Sequence, residues 1–215
     1  MKKDLAIKEL QSSFLSVEKD IGTIINKLFI ESRPYSDILK RLLMINTKDC
    51  LENQTDVCRE LISSTSVKDL KEKGYIRIIP KFNLGEHEEV KSYILITMNH
   101  FTPNAKNPEF RDCTICFDIV CHFDQWKLTD FKLRPYRIAA ELDSMFNKAR
   151  FSGIGRLEFM GGLQMLLDDE YGGLTLRYRA INGEDDKKTP LNPEDNDKMK
   201  VDFKELQDSL KEIQQ

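Results

Sequence analysis

Over residues 133–186 the hydrophobic period changes once and the chain turns once, and this narrows the fold more than any other stretch. The sequence reads LRPYRIAAELDSMFNK, then GIGRLEFMGGLQMLLDDEYGGLTLRYRAINGEDD. Pro135 suits a first helical turn. Ile138, Leu142, Met145, Phe146 and Ala149 recur at helical spacing, so the pattern predicts an amphipathic helix over 134–151. Residues 157–167 and 174–181 are predicted strands. The turn Asp168-Asp169-Glu170-Tyr171-Gly172-Gly173 joins them as a hairpin.

Upstream the period is two. Residues 75–79 form a predicted strand closed by Pro80, 90–98 a second and 113–123 a third. The second is apolar on both faces, which places it at the sheet centre. The connection 100–111 is long enough for a functional arm. The order β-β-β-α-β-β predicts an α+β domain: a mainly antiparallel sheet with one helix packed across it.

N-terminal helices and a C-terminal amphipathic helix flank this core. Leu10, Phe14, Val17, Ile21, Ile24 and Leu28 mark a stripe within residues 3–31. That stripe either packs on its own domain or serves as an arm for another subunit. Pro34 opens a second helix, a third is possible over 56–62, and a short one begins at Ser66 and stops at Gly74. Phe203, Leu206, Leu210 and Ile213 form a last stripe beyond a charged, proline-bearing linker, and it docks either in cis or in trans. The expected divisions are a helical region at 1–73, the α+β core at 74–183, a linker at 184–200 and a helix at 201–215.

Composition excludes several classes. Lys and Arg total 33 against 36 Asp and Glu, a net charge of -3 that gives no global field to gather nucleic acid. No window reaches the ~18 apolar residues of a membrane span. The first residues lack the apolar segment of a secretory leader. Five cysteines argue against a disulfide framework and for synthesis in reducing cytoplasm.

Cys113-Thr114-Ile115-Cys116, with Cys121-His122, has a metal-like spacing. Strand alternation puts Cys113 and Cys121 on one face and Cys116 and His122 on the other, so the four do not converge, and neither metal nor cofactor is expected. Asp118 shares a face with His122 and reads as a polar pair. Gly153 and Gly155 follow a helix, the reverse of a dinucleotide site. Gly161-Gly162 marks a bulge or a close backbone approach. Asp168, Asp169 and Glu170 read as turn charges. Lys127, Lys132, Arg134 and Arg137 gather at the helix start with Trp126, Phe131 and Tyr136 between them. They suit the acidic loops of an identical neighbour, or more weakly a phosphate backbone. No group of residues forms a catalytic set, so no enzyme is expected. The alternative is an adaptor or regulatory protein that binds a partner through its terminal helices.

Leu133-Arg134-Pro135-Tyr136, Gly153-Ile154-Gly155-Arg156-Leu157-Glu158-Phe159, Gly173-Leu174-Thr175-Leu176-Arg177-Tyr178 and Asn182-Gly183-Glu184-Asp185-Asp186 together resemble the tail-terminator-like ring proteins of tailed bacteriophages. The resemblance is nearest to the tail-barrel ring proteins of crAss-like phages, and the order of elements extends it over residues 75–183. It implies a structural subunit of a hexameric or dodecameric ring in the virion, made in the host cytoplasm. Such a ring joins the portal region to the tail, touches adjacent neck or tail proteins and meets the DNA in its lumen non-specifically. It implies no membrane partner. The interface residues expected are Leu10, Phe14, Val17, Ile21, Lys127, Lys132, Arg134, Arg137, Asp168, Asp169, Glu170, Phe203, Leu206, Leu210 and Ile213.

Overall fold

Alternation along strand β3 (Arg111–His122) turns Cys113, Ile115, Phe117, Ile119 and Cys121 to one side, and all five are buried in the core. Hiding that face organises the molecule. The computed structural model describes residues 15–31, 35–78, 90–104, 111–151 and 154–182. The chain divides after Glu184, and every described residue precedes that division.

Strand β3 is the middle of a five-stranded sheet in the order β1-β2-β3-β7-β6. Here β1 is Ile76–Arg77, β2 is Ser92–Pro103, β6 is Glu158–Leu166 and β7 is Tyr171–Asn182. Only β1 and β2 are parallel, and every other neighbouring pair is antiparallel. The fold is therefore α+β, as the alternation predicts. Its helices are α1 (Leu15–Asn26, continued by a π-helical turn over Lys27–Glu31), α2 (Tyr35–Met44), α3 (Asp56–Ser64), α4 (Val67–Glu72) and α5 (Arg134–Phe146).

One core unites the helices with the sheet. Ile24, Leu28, Leu39, Leu42, Ile138, Leu142 and Phe146 join the inward side chains of β3 and β7. Phe117 packs against Phe146 at 4.8 Å and meets Tyr178 edge-on at 5.8 Å. Tyr178 Oη donates to Asp143 Oδ1 across 2.9 Å, which satisfies the buried phenol and fixes α5 over β7. The described part of the N-terminal stripe packs on its own domain: Ile24 and Leu28 are buried, and Val17 and Ile21 are half-buried. Leu10, Phe14, Phe203, Leu206, Leu210, Ile213 and the linker lie outside the described residues.

Several boundaries differ from expectation. Strand β1 has two residues rather than five, and the strand order puts β2 next to an edge, with β3 and not β2 at the centre. Strand β2 also runs on to Pro103, into the stretch expected as an arm, past a register shift between Asn99 and Thr102 where His100 has φ 54°. Helix α5 stops at Phe146, because Asn147 is extended and Lys148 is left-handed at φ 64°. Beyond it, β4 (Arg150–Phe151) pairs with β5 (Gly155–Arg156). Gly161 sits at the register shift of β6 with φ 149°, the bulge its glycine pair predicts.

Glycine is essential at one point in the sheet. A Cβ on Gly173 would lie 1.7 Å from the Ile119 carbonyl oxygen, inside the β3–β7 ladder. Gly173→Ala is expected to part these strands and cost about 3 kcal/mol or more. Nothing lies within 4 Å of a Cβ on Gly22 of α1, so Gly22→Ala is expected to stabilise by about 0.5–1 kcal/mol. Chemical denaturation of both variants checks the opposite signs.

Candidate functional site

Of the four basic residues expected to form one patch, Arg134 departs most. It is fully buried. Its Nε donates to the Gln125 carbonyl at 2.9 Å, Nη1 to the carbonyls of Leu42 and Ile45 (the latter at 2.9 Å), and Nη2 to the Thr47 carbonyl at 3.0 Å. The carbonyls of Leu42, Ile45 and Thr47 lie at and just beyond the end of α2, which no helical N–H satisfies. Arg134 is thus an internal tie and not a surface group. A guanidinium suits this task because its fork of donors reaches several acceptors at once.

The other three stay outside but are partly occupied. Lys132 Nζ lies 3.2 Å from Glu52 and 3.5 Å from Asp130, and Arg137 lies 3.4 Å from Glu141. The Lys132 pairs are exposed and exchange easily, whereas Glu141 is buried and its burial pushes the carboxyl up. Lys127 is exposed, with no ion-pair partner among the described residues. Its backbone bridges to Leu133, closing a small loop. Thr129 anchors the loop, donating from N to the Lys48 carbonyl (3.1 Å) and from Oγ1 to Glu52 (2.6 Å). At its tip Asp130 and Phe131 are both left-handed, at φ 55° and 60°. Consecutive non-glycine residues there are strained by about 1–3 kcal/mol each. The result holds Phe131 completely in solvent, beside exposed Leu133 and Tyr136.

The acidic turn lies at the same end of the sheet. Phe123 N, just past β3, donates to the Glu170 carbonyl at 2.8 Å. Asp168 Oδ1 accepts from the backbone N–H groups of Glu170 and Tyr171, so this carboxylate shapes its own turn. Asp169 and Glu170 are exposed.

Strand β6 leads into that turn and is the feature the sequence reading missed. Among the described residues it pairs with β7 alone and forms one edge of the sheet. Phe159, Met160, Leu163, Leu166 and Leu167 are all exposed, Leu166 at 72%. The signal was present: residues 159–167, FMGGLQMLL, contain no charge and no proline. Read as a strand, they invite a search for a buried face, and the exposure of both faces follows only from the edge position.

The cysteine run behaves as alternation requires. Cys113 and Cys121 join the core, whereas Cys116 lies on the other face and accepts from Asn99 Nδ2 at 3.5 Å. His122 pairs with Asp124 at 3.6 Å and stands edge-on to Tyr171, while Asp118 accepts instead from Thr175 Oγ1 at 2.7 Å. Burial pushes the Cys113 thiol up to about 12 and that of Cys121 up to about 11. Burial also raises Cys50 and Cys116. No three His, Cys, Asp or Glu side chains among the described residues are grouped to hold a metal ion. No helix among them is long and apolar enough to cross a membrane.

Two measurements check these placements. Arg134→Met orphans buried carbonyls and is expected to cost about 3–5 kcal/mol in denaturant unfolding, with Arg134→Lys recovering only part. Thiol titration of the native protein at pH 8 is expected to reach half-buried Cys58 quickly. Cys50, Cys113, Cys116 and Cys121 are expected to react only after denaturation.

No curated protein matches the chain. A family model, YomW, matches residues 36–180, from α2 almost to the end of β7. YomW is a phage-type protein of the Bacillus phage SPbeta region. The match spans more than half of the 215 residues, and the chain belongs to the YomW family.

Proposed function

We propose that the chain is a structural subunit of a ring in the phage neck or tail, joining the portal region to the tail around the DNA channel. The observation that carries this reading is β6: an edge strand among the described residues, with large apolar side chains exposed on both faces and no charge beyond Glu158 at its start. Monomeric proteins blunt such edges with lysine, proline, bulges or short strands; past the Gly161 bulge the uncharged run from Gly162 to Leu166 carries none of these, and such a run belongs under another polypeptide. A ring supplies that cover from its own copies, because its contacts join one patch to a different patch on the next subunit. Membership of a phage-type family supports the setting, and the element order of tail-terminator-like proteins supports the role. The adaptor reading draws less support, since Ile24 and Leu28, which a free arm would present, are buried.

Two assays test the proposal: mass spectrometry of purified phage particles and light scattering of the recombinant chain. The expected result is a stoichiometric virion component that forms closed hexamers or dodecamers. A chain absent from particles and monomeric at high concentration overturns the proposal.

A further inference from the structure

We infer that the Phe131 loop of one copy seats on the β6–β7 turn of the next, with Phe131 lying on Leu166 and Leu167. This rests on the ring reading and names the surfaces that meet. The tip and the seat match in chemistry. Phe131, Leu133 and Tyr136 are exposed apolar groups beside Lys127; Leu166 and Leu167 are exposed apolar groups beside Asp169. Neither Lys127 nor Asp169 has an ion-pair partner among the described residues.

They also match in position. Thr129 ties the Phe131 loop to Lys48 and Glu52, and nearby Asn46 Nδ2 donates to the Val90 carbonyl just before β2. The tip therefore belongs to the β2 side of the sheet. The seat closes β6, the edge on the other side. Yet both stand at the same end, because Ser92 pairs with Cys121, and His122 with Tyr171. Patches at one level on opposite sides can meet through rotation about an axis along the strands, with no rise between copies. That operation closes a ring, whereas patches at different levels would build a helix. The Thr129 hydrogen bonds and the Lys127–Leu133 bridge hold the loop before contact, so little loop freedom is lost on docking.

The test uses the full chain in two variants, Phe131→Asp and Leu166→Asp with Leu167→Asp, in sedimentation velocity. All three side chains are exposed, so circular dichroism should match the unaltered chain. Each variant alone is expected to self-associate at least ~30-fold more weakly than the unaltered chain. Mixed, the two should form one-to-one dimers that grow no further, because one intact tip meets one intact seat. Variants that still form rings alone, or a mixture that stays monomeric, overturn this contact while leaving the ring reading standing. An unaltered chain that never self-associates overturns both. Self-association that survives Phe131→Asp but not the leucine variant points to pairing of two β6 edges and also overturns the contact.

Discussion

The Arg134 guanidinium holds the end of α2, the turn before α5 and the first residue of α5 in one place. Its acceptors are carbonyls, with no carboxylate among them. A cation at the start of a helix opposes that helix's dipole, yet the same charge faces the C-terminal end of α2, where the dipole favours it. Leu133 makes no side-chain cap for α5, and a guanidinium, which only donates, caps the carbonyl end of α2 alone; at α5 the Arg134 backbone N–H donates to the Trp126 carbonyl at 2.7 Å. Gln125, which gives its carbonyl to Arg134, receives a hydrogen bond from Ser92 Oγ at 2.6 Å and donates to the Val90 carbonyl at 2.7 Å. One guanidinium thereby sets the height of the helical layer against the start of β2. The Phe131 loop hangs from this frame.

Legibility in the sequence followed the range of the interaction. Helix α4 was readable at both ends: Ser66 and Asp69 form a reciprocal capping box, and Gly74 turns left-handed at φ 69°. The faces of β3 were readable because the strand period is two. The role of Arg134 was not, because Leu42 lies 92 residues upstream and an arginine among aromatic and basic neighbours defaults to the surface. The shortness of β1 was hidden for a similar reason. A strand of five apolar-rich residues looks the same whether its neighbour pairs with all of it or only with Ile76 and Arg77.

Edge position is also a property of the whole sheet. In β6 the local pattern says strand, and Gly161 correctly says bulge. Nothing local says that no further strand among the described residues lies beyond β6. Inward residues of β7 such as Leu174 and Leu176 are buried beneath helices, but their β6 partners Gln164 and Gly162 are exposed. Among the described residues the helical layer therefore ends above β7 and leaves a shelf on β6. Sheet edge and shelf coincide, so an incoming polypeptide could bury apolar surface and satisfy backbone groups together.

Under the proposed contact, stability and assembly draw on different parts of the chain. Phe117, Phe146 and Tyr178 fix the core, and no exposed surface is needed to complete it. Phe131, Leu163 and Leu166 add nothing to that core, and leaving them in water is unfavourable by about 1.5–3 kcal/mol each relative to full burial. An isolated copy would fold without relieving that cost, and association would recover part of it after the loss of rotational and translational freedom. Substitutions at Phe131 and Leu166 should consequently, under that contact, separate folding from self-association, whereas Arg134 couples the two because it holds the frame from which the tip projects.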